Sequence, residues 1–134
     1  MNPHRPDTDQ AGMMTIWMLG LATITLLLVA LIVDGARIMN AVSDTGATAR
    51  SAARAAALAV DPTSHTLTPA AETEAVTVID ARDMTAGPIV VTDDTVTVTV
   101  TTTIRLPLLT LLGVRERTVT STATAAILQG VTAP

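Results

Sequence analysis

Few side chains in this sequence have the type and spacing to do chemistry. Asp34 is the first charge after a long apolar run, and Arg37 follows three residues later. On a helix that spacing puts both on one face, so they read as an ion pair at the boundary of a membrane span. An acid that serves a proton or ion path is expected deep in a span, whereas Asp34 stands at the end of one. His4 and His65 have no second His, Cys or paired acid at ligand spacing. Asp93-Asp94 reads as a turn, where Asp is favoured because its side chain bonds its own backbone. Ser43, Ser51, Ser64 and Ser121 have no evident base and no nucleophile elbow. No glycine loop resembles a phosphate cradle. These residues predict no catalytic site, no metal ligands, no cofactor and no small-molecule substrate: the chain does not read as an enzyme.

The element that places Asp34 is the run Met13 to Val33, MMTIWMLGLATITLLLVALIV, which contains no charge. Its roughly 21 residues would span about 31 Å as a helix, enough to cross a bilayer core. It exceeds the 7–15 residues usual for the apolar part of a secretory signal, so it reads as an anchor even though Val33-Asp34-Gly35 offers small residues after it. Outside the run, Ala, Thr and Val dominate. The chain of 134 residues has one aromatic, Trp17, and no Cys. A core without aromatics must come from Val, Ile, Leu and Ala, each burying less area. The extramembrane part is therefore expected to be marginal alone, stabilised by its helix or by neighbours. Net charge is −4 and the basic residues are scattered arginines, which with the lack of stacking aromatics argues against nucleic acid.

The chain divides into a polar N-terminal tail (1–12), with 1–11 read as disordered, a transmembrane helix (13–33), an extramembrane continuation of that helix (34–61) and a small α/β domain (62–134). From Ile38 to Val60 no strong breaker interrupts the helical pattern. Ile38, Val42, Ala49, Ala53, Ala56 and Val60 recur at helical spacing as a narrow apolar stripe. Asp61-Pro62 should end the helix. Gly35, Gly46 and the alanines allow close backbone approach, so Gly35, Val42, Gly46, Ala49 and Ala53 are the expected helix-packing residues, against other membrane helices or the chain's own sheet.

Thr68-Pro69 places a capping hydroxyl before a proline suited to the first helical position, and predicts a second helix to about Met84 with Ala71, Ala75, Val78 and Ile79 inward. Gly87-Pro88 reads as a turn before a short strand, Ile89 to Val91. Thr95 to Ile104 alternates Val with Thr, and Val119 to Leu128 repeats the pattern. Leu106 to Gly113 is apolar but too short to cross a membrane, and reads as a helical turn over the core or the lipid surface. The expected fold class is α+β: a long N-terminal helix, a second helix and a three-stranded antiparallel sheet. The threonine rows could form a flat hydroxyl array of the kind that binds ice or carries glycans. The preferred reading is a soluble sheet face.

Three segments, Ala11 to Gly20, Leu31 to Arg37 and Ala52 to Ala57, resemble the TadE/TadG-like proteins of actinobacteria, minor pilins or pseudopilins of the tight-adherence (Flp) pilus machinery. The resemblance implies a pilin-like fold, a single-pass cell-membrane protein with a cytoplasmic N-terminus and an extracytoplasmic C-terminal domain, and no catalysis. The partners implied are membrane lipid, other pilin-like subunits and pilus assembly proteins. It also implies a prepilin-peptidase site between Gly12 and Met13. Trp17 stands where processed pilins carry a glutamate, so an intact signal anchor is expected. The charges lean the other way on orientation, with Arg5 before the run and Arg37, Arg50 and Arg54 after it. The alternative function is a bitopic scaffold or regulatory subunit of another envelope or secretion complex.

Overall fold

The computed structural model describes residues 8–61, 63–64 and 66–127. Helix α1 runs unbroken over Thr8–Ala59 and α2 over Pro69–Asp80. The strands β1 (Thr85–Thr92), β2 (Thr95–Arg105) and β3 (Glu116–Ala126) form one antiparallel sheet in the order β1-β2-β3, with a 3-10 helix, Leu109–Leu112, between β2 and β3. This is the expected α+β class. His4, His65, Leu128 and residues 1–7 of the tail lie outside the described residues. Residues 8–12 belong to α1, which therefore begins earlier than the polar composition predicts.

The two halves of α1 have different surroundings. In the first half an 18-residue stretch has a mean hydropathy of 2.6, and 0% of it is buried inside the chain. It is long and apolar enough to cross a membrane, and it is not the core helix of this fold. Thr23 and Thr25 sit within it, and each hydroxyl donates to the carbonyl four residues back, Leu19 O and Leu21 O, both at 2.8 Å. Those bonds leave no side-chain donor unsatisfied at these two positions, as lipid requires.

The second half is the spine of the domain. Ala49, Ala52, Ala53 and Ala56 are fully buried, and they pack in one cluster with Ala71, Ala75 and Ile79 of α2 and with Val96, Val98 and Val100 of β2. Most of the buried side chains on the two helices are alanines, and the larger volumes of the cluster come from Ile79 of α2 and the valines of β2. The alternation in β2 places Val96, Val98 and Val100 inward and Thr95, Thr97, Thr99, Thr101 and Thr103 on the opposite face. The outward rows pair across the strands, Thr97 with Thr124, Thr99 with Thr122, Thr101 with Thr120 and Thr103 with Thr118, with hydroxyl distances of 3.0, 3.1, 3.2 and 3.4 Å. Cross-strand pairs of this kind each contribute roughly 0.2–1 kcal/mol.

Three local readings change. The helix-packing stripe does not pass through Val42, which is 45% exposed. It passes through Ala41, Thr45 and Thr48, with both threonines buried. Thr45 can be buried because its hydroxyl donates to Ala41 O at 2.6 Å within the helix. Gly87-Pro88 is not a turn. It lies inside β1, where the register with β2 shifts between Ala86 and Ile89. A proline fits there because β1 is an edge strand. The glycine relieves a close approach: a Cβ at Gly87 would stand 3.1 Å from the Thr99 carbonyl oxygen. Finally, α2 stops at Asp80, and a turn with Asp83 at φ 53 leads into β1.

The start of α2 follows the expected chemistry. Thr68 is extended, its hydroxyl accepts from Ala71 N at 3.2 Å, and Pro69 opens the helix. The same hydroxyl donates to Ala59 O at 3.2 Å, tying α2 to the end of α1. Thr68→Ala removes both bonds and is expected to destabilise the domain by about 1 kcal/mol, read as a lower thermal midpoint of the detergent-solubilised chain.

Candidate functional site: a carboxylate clamp at the base of the domain

The end of the domain next to the bare half of α1, its base, is made by the connection from β2 to β3. The opposite end holds the two-residue turn Asp93-Asp94, with Asp93 at φ 42, and Ile127 N donates to Asp94 O there at 2.7 Å. The strands thus run the length of the spine, from the end of the apolar stretch to the end of α1.

At the base, Asp34 is completely buried. One carboxylate oxygen, Oδ2, accepts from Leu108 N at 3.0 Å and from Leu109 N at 2.7 Å. These amides open the 3-10 helix, where no carbonyl of the turn can reach them and no other side chain caps them. Leu106, also buried, anchors the start of the connection, and its N–H donates to Arg115 O at 2.9 Å. Gly113 ends the turn at φ 89, a conformation that glycine takes without strain. The other oxygen, Oδ1, is buried with no hydrogen-bond partner, as is the Thr48 hydroxyl.

The ion pair expected between Asp34 and Arg37 is not formed. Arg37 is exposed, and the carboxylate turns inward to the loop. Two part-buried N–H groups without other acceptors out-compete a guanidinium that water can solvate. Sequence reasoning singled out Asp34 but not its partners, because backbone amides 74 and 75 residues away carry no signal in side-chain types. The one clue was an apolar loop, Leu106 to Gly113, whose turn needed a cap and had no Ser, Asp or Asn at its start.

The remaining expected positions are spread out. Gly12 and Met13 lie in the bare first half of α1. Ala49 and Ala53 are in the core, whereas Gly35 has open space where a Cβ would stand. Gly46 is half-buried, with Ser121 Oγ and the Arg50 guanidinium 3.8–3.9 Å from where a Cβ would be. Alongside it, an open groove of about 420 Å³ between α1 and β3 is lined by Arg50, Arg54, Ala57 and Thr124, among others. Among the described residues no acid or histidine lines it. Among the described residues no group of three or more His, Cys, Asp or Glu side chains could hold a metal ion. The base is thus a structural clamp that sets a loop against the end of an apolar helix.

The chain matches no family model, no curated protein and no solved structure.

Proposed function

We propose that this protein is a membrane-anchored minor pilin, pseudopilin or assembly factor of a Tad-type pilus, and that it does no catalysis. One observation carries the reading: a single helix has a bare, apolar first half long enough to cross a membrane and a second half that is the spine under a three-stranded antiparallel sheet. In such a layout the bare half holds the subunit in the bilayer before assembly and packs on neighbouring helices afterwards. The resemblance of Ala11 to Gly20 and Leu31 to Arg37 to TadE/TadG-like proteins points the same way.

The test is deletion of the gene in the producing organism, with pili counted by electron microscopy and partners recovered by cross-linking to the tagged full-length chain. Loss of pili and recovery of pilin-like subunits are expected. Normal piliation with no pilin-like partner would sink the proposal. A topology reporter fused after Pro134 should read as extracytoplasmic, and a cytoplasmic signal is incompatible with a pilin. The native mass should begin at Met1. A mass beginning at Met13 that Gly12→Leu abolishes would replace the signal-anchor form with a processed one.

A further inference from the structure

The 3-10 turn at the base carries an apolar surface that nothing among the described residues covers. Leu111 is 86% exposed, Leu112 62% and Val114 45%. From Leu106 to Val114 there is no charge. The position of this tip is fixed: Asp34, the residue directly after the apolar run, holds the amides of Leu108 and Leu109 within 3.0 Å. The tip therefore lies at the level where the apolar stretch ends. Exposed arginines stand near it, Arg37 one turn along α1 and Arg105 and Arg115 at the two ends of the connection; Arg105 Nε also lies 3.6 Å from Glu116 Oε1, in a solvent-exposed pair that a phosphate can share. The far end of the domain carries the exposed acids Asp61, Asp93 and Asp94, with Arg54 beside Thr124 to Ala126.

We propose that this tip is a lipid-docking surface: Leu111, Leu112 and Val114 enter the interfacial layer of the bilayer that α1 crosses, and Arg37, Arg105 and Arg115 meet phospholipid phosphates. The proposal rests on α1 being a membrane anchor. It commits to lipid because the apolar tip is continuous in level with the apolar span. An apolar patch rimmed by cationic side chains matches the layered chemistry of acyl chain below phosphate. Such docking adds a second contact to a single-helix anchor. It fixes how the domain stands on the membrane, so the threonine face presents itself at a set height.

The experiment uses the full chain in phosphatidylcholine vesicles. A Trp17→Leu, Leu111→Trp variant carries one tryptophan at the tip, and the parent carries Trp17 in the span. Lipids brominated near the headgroup quench a tryptophan in the interface, and acrylamide quenches one in water. The tip tryptophan is expected to lose about half or more of its emission to the brominated lipid while resisting acrylamide, as a residue in the interfacial layer does. A Trp17→Leu, Val42→Trp variant, two turns beyond Asp34, should show the reverse. If Trp17 is quenched by the brominated lipid but the tip tryptophan is quenched only by acrylamide, the anchor stands and the docking proposal falls. If the tip is shielded from acrylamide without lipid quenching, a protein partner covers it, which also overturns the proposal. If Trp17 itself ignores the brominated lipid, the anchor reading fails and the docking proposal with it. Because Leu111 makes little contact within the chain, its replacement leaves the fold intact.

Discussion

Val98→Asp is expected to unfold the extramembrane domain. Val98 is fully buried in the middle of β2, opposite Ile89 on β1 and Ala123 on β3, and packs in the same cluster as the alanines of α1. A carboxylate there has no cation and no free backbone donor, because the neighbouring amides are committed to the ladder. Burying an unpaired charge costs several kcal/mol, a large share of the 5–15 kcal/mol typical of a small domain. This core has no aromatic side chain to absorb the loss. Thr97→Asp, one residue away, points to water and gives up a single hydroxyl pair, so it should stay within about 0.5 kcal/mol. Protease resistance of the detergent-solubilised chain separates the two. Damage from Thr97→Asp with Val98→Asp harmless would mean the strand faces are reversed. If Thr97→Asp folds normally yet blocks assembly, the threonine face is a partner surface.

Asp34→Ala should have the second largest effect, and its signature is local. The substitution leaves the Leu108 and Leu109 amides without an acceptor beside a buried void, a cost of about 2–3 kcal/mol. The loop from Leu106 to Arg115 should open first, seen as faster hydrogen exchange at those two amides and new protease cleavage in the loop. Asp34→Asn keeps a carbonyl oxygen in place of Oδ2 and should retain most of the protection. Arg37→Ala should change little, since Arg37 is exposed and does not pair with Asp34. If instead Arg37→Ala matches the loss from Asp34→Ala, the carboxylate is held by the guanidinium and the clamp is not what orders the loop.

Much of this architecture is legible from periodicity. The uninterrupted apolar run, the alternation of Val and Thr, and Thr68 before Pro69 each follow from a local rule: helix rise against bilayer thickness, the two-residue repeat of a strand, and the need to cap a helix start. The sequence also marks Ala49, Ala53, Ala71, Ala75 and Ile79 as inward positions, because apolar side chains at helical spacing must be covered. These features need only neighbours a few residues away, so they are written in the order of the side chains.

What the tertiary structure decided has a different physical origin. The inward path through Thr45 and Thr48 and not Val42 depends on which side of α1 the sheet lies, and Thr45 is acceptable there because its hydroxyl bonds within the helix. Gly87 and Pro88 sit in a strand because β1 is at the sheet edge and a Cβ would meet the Thr99 carbonyl, a contact that exists only once β1 and β2 pair. Asp34 is the clearest case. Its type and place at the end of the apolar run are local facts, but its role is set by two backbone amides that the folded sheet carries to it. Backbone donors are the same for every residue, so only their position in space could reveal that the acid after the span is the clasp for the loop at its base.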